Sequence, residues 1–395
     1  MRVGLVVPGF SADADDWCIP ALRHLVARLA GADEVRVLAL RYPYRAGRYE
    51  LFGAQVIALG GAQRRGWRSA ALWQRGLGVL AAEHRRRRFD VLHAFWAGET
   101  GALAALAGRA LGIPTIVSLA GGELVGLRDI GYGGRLVRTE RFKNWLAARL
   151  ADVVTAGSRY LLDLAAHWLA GHAHISAGGL QRRLLRLPLG VDTALFQPDP
   201  AAAASTAPRL IHVASLTPVK DQATLLRAMS LLQRDGQRCE LEIAGTGPLE
   251  PDLRALAARL GMAAAVRFHG AVLHDRLPGF YRRGDLFVLS SRHEAQCMAA
   301  LEAAACGLPV VGIAVGVVPE LAPEAATATP PGDAAALAAA IADVLADTAR
   351  RRAMGQAART RAVEEFALAR CVERTRQLYA ALVQDHQVAQ RRKPG

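Results

Sequence analysis

The shortages of this chain remove several classes of answer. Its 395 residues hold five cysteines. Cys18, Cys239, Cys297, Cys306 and Cys371 form no Cys-x-x-Cys pair and have no histidine at zinc-binding spacing, so neither a disulfide framework nor a metal cage is expected. Long hydrophobic runs are missing as well. A long uncharged apolar stretch, roughly Gly307 to Pro319, is shorter than the about 20 residues a membrane-crossing helix needs. The opening Met1-Arg2-Val3-Gly4-Leu5-Val6-Val7-Pro8-Gly9 reads as a strand and a glycine turn and lacks the charged-then-apolar plan of a secretory leader, which predicts a cytoplasmic protein. No nucleic-acid-binding motif is visible, and nucleic acid is not expected as a partner.

What is present is a large apolar fraction, 52%, enough to exclude disorder, in a chain long enough for two domains. Residues 1–195 carry 26 Lys and Arg against 15 Asp and Glu, the remainder 23 against 20. The front half therefore holds the basic surface, with clusters at Arg64-Arg65-Gly66-Trp67-Arg68, Arg85 to Arg88 and Arg182-Arg183. Such a field suits an anionic membrane leaflet or a phosphorylated ligand, or simply solvates exposed helix faces.

Apolar runs alternate with amphipathic Ala/Leu/Arg segments: Val3 to Val7, Val35 to Leu40, Val91 to Phe95, Thr115 to Leu119 and Val153 to Ala156. The pattern restarts at Arg209 to Ala214, Glu240 to Gly245, Val266 to Gly270, Asp285 to Leu289 and Pro309 to Ile313. This βα repetition predicts two parallel-sheet domains. The expected divisions are 1–190, an interdomain segment and Pro/Ala/Ser linker over 191–208, a second domain over 209–366, a helix over 367–385 able to cross back to the first domain, and a basic tail over 386–395. Downstream, Phe142, Trp145, Leu146 and Leu150 repeat at helical spacing beside Arg138, Arg141, Lys143 and Arg149. That stripe reads as a core face first and as a membrane-docking face second.

The most informative segment runs from Ser291 to Val311. Glu294 and Glu302 lie eight positions apart, one on a strand-to-helix loop and one inside the helix. A helix N-terminus offers unpaired N–H groups to a phosphate, and a carboxylate can accept hydrogen bonds from the hydroxyls of a sugar. Two sugars joined by a pyrophosphate describe a nucleotide sugar. Taken alone, the two glutamates also fit ordinary charges near a helix start.

Several segments together resemble retaining glycosyltransferases of family 4, glycosyl transferases group 1. They are Pro188-Leu189-Gly190-Val191-Asp192 followed by Phe196, Glu242-Ile243-Ala244-Gly245-Thr246-Gly247-Pro248-Leu249, Val266 to Gly270, and Asp285 to Ser290, and the likeness covers residues 188–325. It implies the GT-B fold, an α/β architecture of two Rossmann-like parallel-sheet domains facing across a cleft that closes on the donor. It also implies transfer of a sugar from a nucleoside-diphosphate sugar to a hydroxyl of a glycan, lipid or small-molecule acceptor, with no cofactor and no metal. By resemblance Lys220 meets the donor diphosphate, Gly245 and Gly247 approach the nucleotide, Gln296, Cys297, Met298 and Ala299 line the donor, Glu302 holds the ribose and Glu294 the donor sugar.

The chain departs from the family in places. Ser215 stands where an Arg is usual. Glu294-Ala295-Gln296-Cys297 replaces Glu-Gly-Phe-Gly. Ala120 or Gly121 stands where a His is common, which makes His93 and Glu123 the polar candidates of the front domain. The loop after Gly9 matches loosely. These departures keep open a degenerate protein that binds nucleotide or glycan as a scaffold, and a sugar-nucleotide epimerase of the same architecture.

Overall fold

The computed structural model describes residues 1–62, 67–172, 183–199 and 207–391. The chain divides into two compact units, Met1–Gly190 with Leu368–Gly395, and Val191–Ala367. The Arg64-Arg65 cluster, Arg182, linker residues 200–206 and the last four residues lie outside the described set.

The first unit is built on eight strands: β1 (Arg2–Gly9), β2 (Glu34–Tyr42), β3 (Ala46–Leu51), β4 (Ala54–Leu59), β5 (Val91–Phe95), β6 (Thr115–Leu119), β7 (Val153–Ala156) and β8 (Leu184–Arg186). Their order is β3-β4-β2-β1-β5-β6-β7-β8, parallel apart from the antiparallel pair β3/β4. Helices cover both faces, so β1 is buried on both sides, which is why it reads as an unbroken apolar run rather than an alternating one.

The β3/β4 hairpin escapes the apolar-run reading. β3 is half solvated and carries Arg48, Tyr49 and Glu50. Its turn, Phe52-Gly53, has φ of 51° and 77°, the two-residue reversal whose twist matches paired strands.

The C-terminal helix runs Leu368–Arg391, so it extends through much of the stretch expected to be tail. It belongs to the first unit and buries Leu368, Cys371, Val372, Thr375 and Tyr379 there. Arg376 Nε also donates to Asp33 Oδ2 at 2.9 Å.

The second unit has six parallel strands: β9 (Arg209–Val213), β10 (Glu240–Ala244), β11 (Val266–Phe268), β12 (Leu286–Leu289), β13 (Val310–Ile313) and β14 (Ala326–Thr329). Their order is β11-β10-β9-β12-β13-β14. Edge strand β14 is Ala-Thr-Ala-Thr, too small and polar to register as an apolar run. The loops leaving the carboxyl ends of β9, β10 and β12 carry the candidate residues of this unit, as expected for an open parallel sheet.

Candidate functional site

In the second unit the β9 and β12 loops meet at an ion pair. Lys220 Nζ lies 2.5 Å from Glu294 Oε1, with the two side chains 22% and 12% exposed. The arrangement is fixed from both sides. Ser291 Oγ donates to Glu294 Oε1 at 2.7 Å, Ser290 Oγ donates to Lys220 O at 2.8 Å, and the Arg292 N–H donates to Val219 O at 2.8 Å.

Beneath the pair lies His212, fully buried in β9. Its Nδ1–H donates to Val288 O at 2.9 Å, and its Nε2 accepts from Gln222 Nε2 at 3.2 Å. An accepting Nε2 requires a neutral ring, and burial pushes its pKa down to about 4. The Gln222 amide also donates to Ser215 O at 3.0 Å, which ties the Ser215 loop to the same support. Ser215 itself is exposed, its hydroxyl 3.4 Å from Thr217 Oγ1. Sequence reasoning missed His212 and Gln222. A histidine in mid-strand carries no signal without its partners.

The helix Met298–Ala305 begins at the Glu294 loop. Cys297 caps it with a left-handed backbone, φ 73°, no side chain caps it and its first turn has no acidic residue. Met298 and Ala299 are partly exposed while Ala300 is buried. A helix start with an apolar first turn, where the weakly accepting Cys297 sulfur faces the Ala300 N–H, leaves its first N–H groups to water or to an anion. The Cys297 thiol is held protonated, first by burial and then by Glu294, with Lys220 and the Ala300 N–H acting in the opposite sense and Glu302 adding to the rise. It is therefore unsuited to act as a nucleophile. Gln296 is 7% exposed and its carbonyl accepts from the Val317 N–H at 2.9 Å, so it belongs to the packing of the loop. Gly316, φ 59°, makes this possible: a Cβ there would lie 2.7 Å from Gln296 O and 3.0 Å from Glu294 Cβ. The sequence reading passed it over.

Glu302 departs from an open ribose-binding carboxylate. It is 7% exposed. Oε2 accepts from Tyr281 OH at 2.9 Å, and Oε1 lies 3.0 Å from His274 Nε2. A ribose reaching Glu302 joins or displaces these two partners.

Gly245 and Gly247 answer first to their own fold. A Cβ on Gly245, φ 135°, would lie 1.9 Å from Ala214 O, and one on Gly247 2.3 Å from Leu216 O. The β9 and β10 loops are zipped together by Leu216 N–H to Thr246 O at 2.9 Å. The glycines thus bring the Ser215 loop into place.

In the first unit the structure corrects the place given to His93. It is 1% exposed in β5. Nδ1 meets Tyr379 OH and Nε2 meets Ser118 Oγ, both at 2.7 Å, and Ser118 Oγ meets Thr155 Oγ1 at 2.6 Å. Burial lowers its pKa to about 3. This neutral histidine fastens the C-terminal helix to the sheet and presents nothing to a substrate. Gly9 is likewise pressed against its own chain, where a Cβ would lie 3.0 Å from Tyr42 Cβ.

Glu123 is buried, and burial raises its pKa against the pull of backbone donors. Its carboxylate accepts from the N–H groups of Ala97 (3.3 Å), Ala120 (3.0 Å) and Gly121 (2.7 Å). Gly121 leaves room for the Trp96 ring, with Nε1 2.8 Å from where a Cβ would sit. Glu123, Gly122 and Trp96 border a cavity of about 1380 Å³ within this unit.

The helix Arg138–Leu150 does not bury the aromatic stripe expected of it. Its buried residues are Asn144, Ala147 and Ala148, and Phe142 is 59% exposed. Small side chains form the fully buried contact of this helix, while Trp145, Leu146 and Leu150 are partly buried at its margin.

Among the described residues no three His, Cys, Asp or Glu side chains converge as a metal-holding group, and no helix is long and apolar enough to cross a membrane.

Comparison with known proteins places this geometry in context. The family described as "Glycosyl transferases group 1" matches residues 196–361, and the "Glycosyl transferase 4-like domain" matches residues 19–177. A GDP-mannose-dependent alpha-(1-6)-phosphatidylinositol monomannoside mannosyltransferase of Mycobacterium tuberculosis is 32% identical over 268 residues, 61% of this chain and 61% of that protein. A D-inositol 3-phosphate glycosyltransferase of Acidothermus cellulolyticus is 33% identical over 60% of this chain and 55% of its own length. The alignments thus span little more than half of each curated relative. Among solved structures, sucrose-phosphate synthase from Thermosynechococcus elongatus superposes with a TM-score of 0.77 at 21% identity, covering 97% of this chain and 99% of that one. Anabaena Alr3699/HepE in complex with UDP-glucose gives 0.72 at 18%, covering 96% and 100%. These two likenesses show the fold.

Proposed function

We propose, for a chain that belongs to the family 4-like glycosyl transferases of group 1 with the GT-B fold, that it transfers a sugar from a nucleoside-diphosphate sugar to an acceptor hydroxyl with retention of anomeric configuration. The observation that carries the reading is the Lys220–Glu294 pair at the edge of an uncapped helix. A cation and a helix N-terminus side by side suit the two negative charges of a departing diphosphate, and such preorganised charge is the largest usual contribution to catalysis. Glu294, released from Lys220 when the diphosphate arrives, accepts hydrogen bonds from donor-sugar hydroxyls. Glu302 with Tyr281 and His274 receives the ribose. In this reading the diphosphate charge is met by Lys220 and backbone N–H groups, so EDTA leaves turnover unchanged.

Incubating the full chain with radiolabelled UDP-, GDP- and ADP-sugars tests the reading, since one relative is named for GDP-mannose and one neighbour was solved with UDP-glucose. Transfer, or slow hydrolysis of any donor, supports it. Nucleotide binding without turnover favours the scaffold alternative, which Ser215 motivates by standing where the family usually has a second cation.

The reading sets the protein in the cytoplasm, against the inner face of the membrane. Phe142 at 59%, Val137 at 49% and Leu136 at 37% exposure adjoin the exposed Arg138 and Arg141. Apolar groups among arginines match the boundary of an anionic leaflet. Cosedimentation with phosphatidylglycerol vesicles, lost on Phe142→Glu, is the expected behaviour. Equal sedimentation of that variant contradicts it.

A further inference from the structure

The segment that follows Val191 is gripped from several sides within the second unit. Arg359, on the helix Thr348–Glu365, donates through Nη2 to Thr193 O at 3.1 Å and through Nη1 to Phe196 O at 2.8 Å. The same Nη1 donates at 2.7 Å to the carbonyl of Ala305, the last residue of the helix that carries Glu302. Arg282 Nε donates to Gln197 O at 2.7 Å, and Pro198 Cγ lies 3.2 Å from where a Cβ on Gly307 would sit. The segment is tied down at its start as well, since the Val191 N–H donates to Phe366 O at 2.8 Å and Val191 pairs with Ala367. Val191 and Ala367 are the two ends at which the chain leaves this unit.

Phe196 carries the segment inward. It is 1% exposed, and its ring stands edge-on to those of His274 and Tyr281, with centroids 5.2 and 6.0 Å apart at 71° and 65°. Those two side chains are the ones that hold Glu302. Two routes therefore join the Glu302 carboxylate to one short strap, the first through the rings and the second along the helix to Ala305 and Arg359. A surface loop needs neither. A close-packed interior has no slack to absorb a displaced ring, so a ribose that joins or displaces Tyr281 and His274 at Glu302 shifts the surface on which Phe196 rests. The guanidinium supplies the second route because one rigid fork spans carbonyls of both pieces.

We infer that Phe196 and Arg359 are positioning residues that couple a ribose at Glu302 to the strap 191–198, so that nucleoside binding is felt where the chain leaves the second unit. The inference rests on the transferase reading. Hydrogen exchange followed by mass spectrometry on the full chain tests it, with UDP, GDP and ADP set against pyrophosphate, each at a concentration that protects the Lys220 loop, 216–222, to the same extent. The nucleotide that binds should slow exchange over 191–198 severalfold, and pyrophosphate, which has no ribose, should leave it unchanged. Phe196→Leu should weaken that nucleotide about fivefold, the scale of lost edge-on ring contacts, and leave pyrophosphate affinity unaltered. At saturation it should abolish protection of 191–198 while that of 216–222 persists. General damage to the core would weaken both ligands. Because Phe196 is buried, a second variant is made at Arg359, which is partly exposed; Arg359→Lys keeps the charge, loses the fork and should uncouple the strap in the same way. Equal protection of 191–198 by pyrophosphate, a bound nucleotide that leaves 191–198 unprotected, or both variants retaining the native pattern would overturn the inference and leave the transferase reading intact. Absence of binding by all three nucleotides would bring down that reading and the coupling with it.

Discussion

The Lys220–Glu294 pair allows a prediction of opposite signs from two substitutions at one contact. The ammonium attracts a diphosphate and the carboxylate beside it repels one. At an effective dielectric near 20 and a separation of about 6 Å, a unit charge acts on another with about 3 kcal/mol. The side chains are 22% and 12% exposed, and solvent and salt reduce this to roughly 1–1.5 kcal/mol, or about tenfold in affinity. Lys220→Met should therefore weaken binding of the matching nucleoside diphosphate about tenfold. Glu294→Gln should tighten it severalfold, because it removes the repulsion and frees the ammonium, while lowering turnover of the complete sugar nucleotide by roughly a hundredfold through loss of an interaction with the reacting sugar. Calorimetric titration with UDP, GDP and ADP, beside steady-state transfer rates, separates the two effects. Equal weakening by both substitutions, or no change in either, refutes the assignment of the pair to the diphosphate.

Three further outcomes follow from the packing. Gly245→Ala and Gly247→Ala each drive a methyl into the carbonyl of Ala214 or Leu216 and should cost roughly 2–4 kcal/mol, seen as a drop in melting temperature together with weakened nucleotide binding; an unchanged melting temperature would show that the loops yield freely. His93 and His212 are held neutral with pKa values near 3 and 4, below the unfolded value of about 6.5, so their contribution is full above that pH and is lost as pH falls toward the folded values. The loss is about 1.6 kcal/mol per histidine between pH 6.5 and 5. His93→Gln should flatten the melting-temperature profile in that window, and an undiminished slope in both His93→Gln and His212→Gln counts against the assignment. Glu302→Ala strands Tyr281 OH and His274 and should lower nucleoside affinity sharply in calorimetry, whereas Tyr281→Phe, which leaves the carboxylate, should lower it only severalfold; equal affinity for Glu302→Ala and the native chain removes Glu302 from the site.

The readability of this chain follows the length scale of each signal. Strands β1, β5 and β12 were visible because burial on both faces leaves no polar alternation to confuse the reading. β3 and β14 were not, since an edge strand needs few large apolar side chains. The Glu294–Lys220 meeting was legible only as a likeness to a family: 74 residues separate the two in sequence, and no local pattern links them. The stripe on the helix Arg138–Leu150 misled for a related reason. Periodicity identifies an apolar face but not its partner, and here alanines form the contact. A close helix crossing is built from small residues, which contribute least to any hydrophobic pattern.

His93 and Asn144 show why buried polar groups divide into two kinds that sequence cannot separate. Both lie almost fully out of solvent in the same unit. The histidine has a partner on each ring nitrogen, one of them Tyr379 from the far end of the chain. Its polarity is therefore consumed by the fold, and it acts as a fastening between a sheet and a terminal helix. The asparagine meets one partner with its amide nitrogen and, among the described residues, none with its oxygen. An unmet buried acceptor destabilises a fold by roughly 1–3 kcal/mol. A residue's reach toward a ligand is thus read from which of its hydrogen-bonding atoms remain unanswered, and that quantity exists only once residues distant in sequence have been brought together.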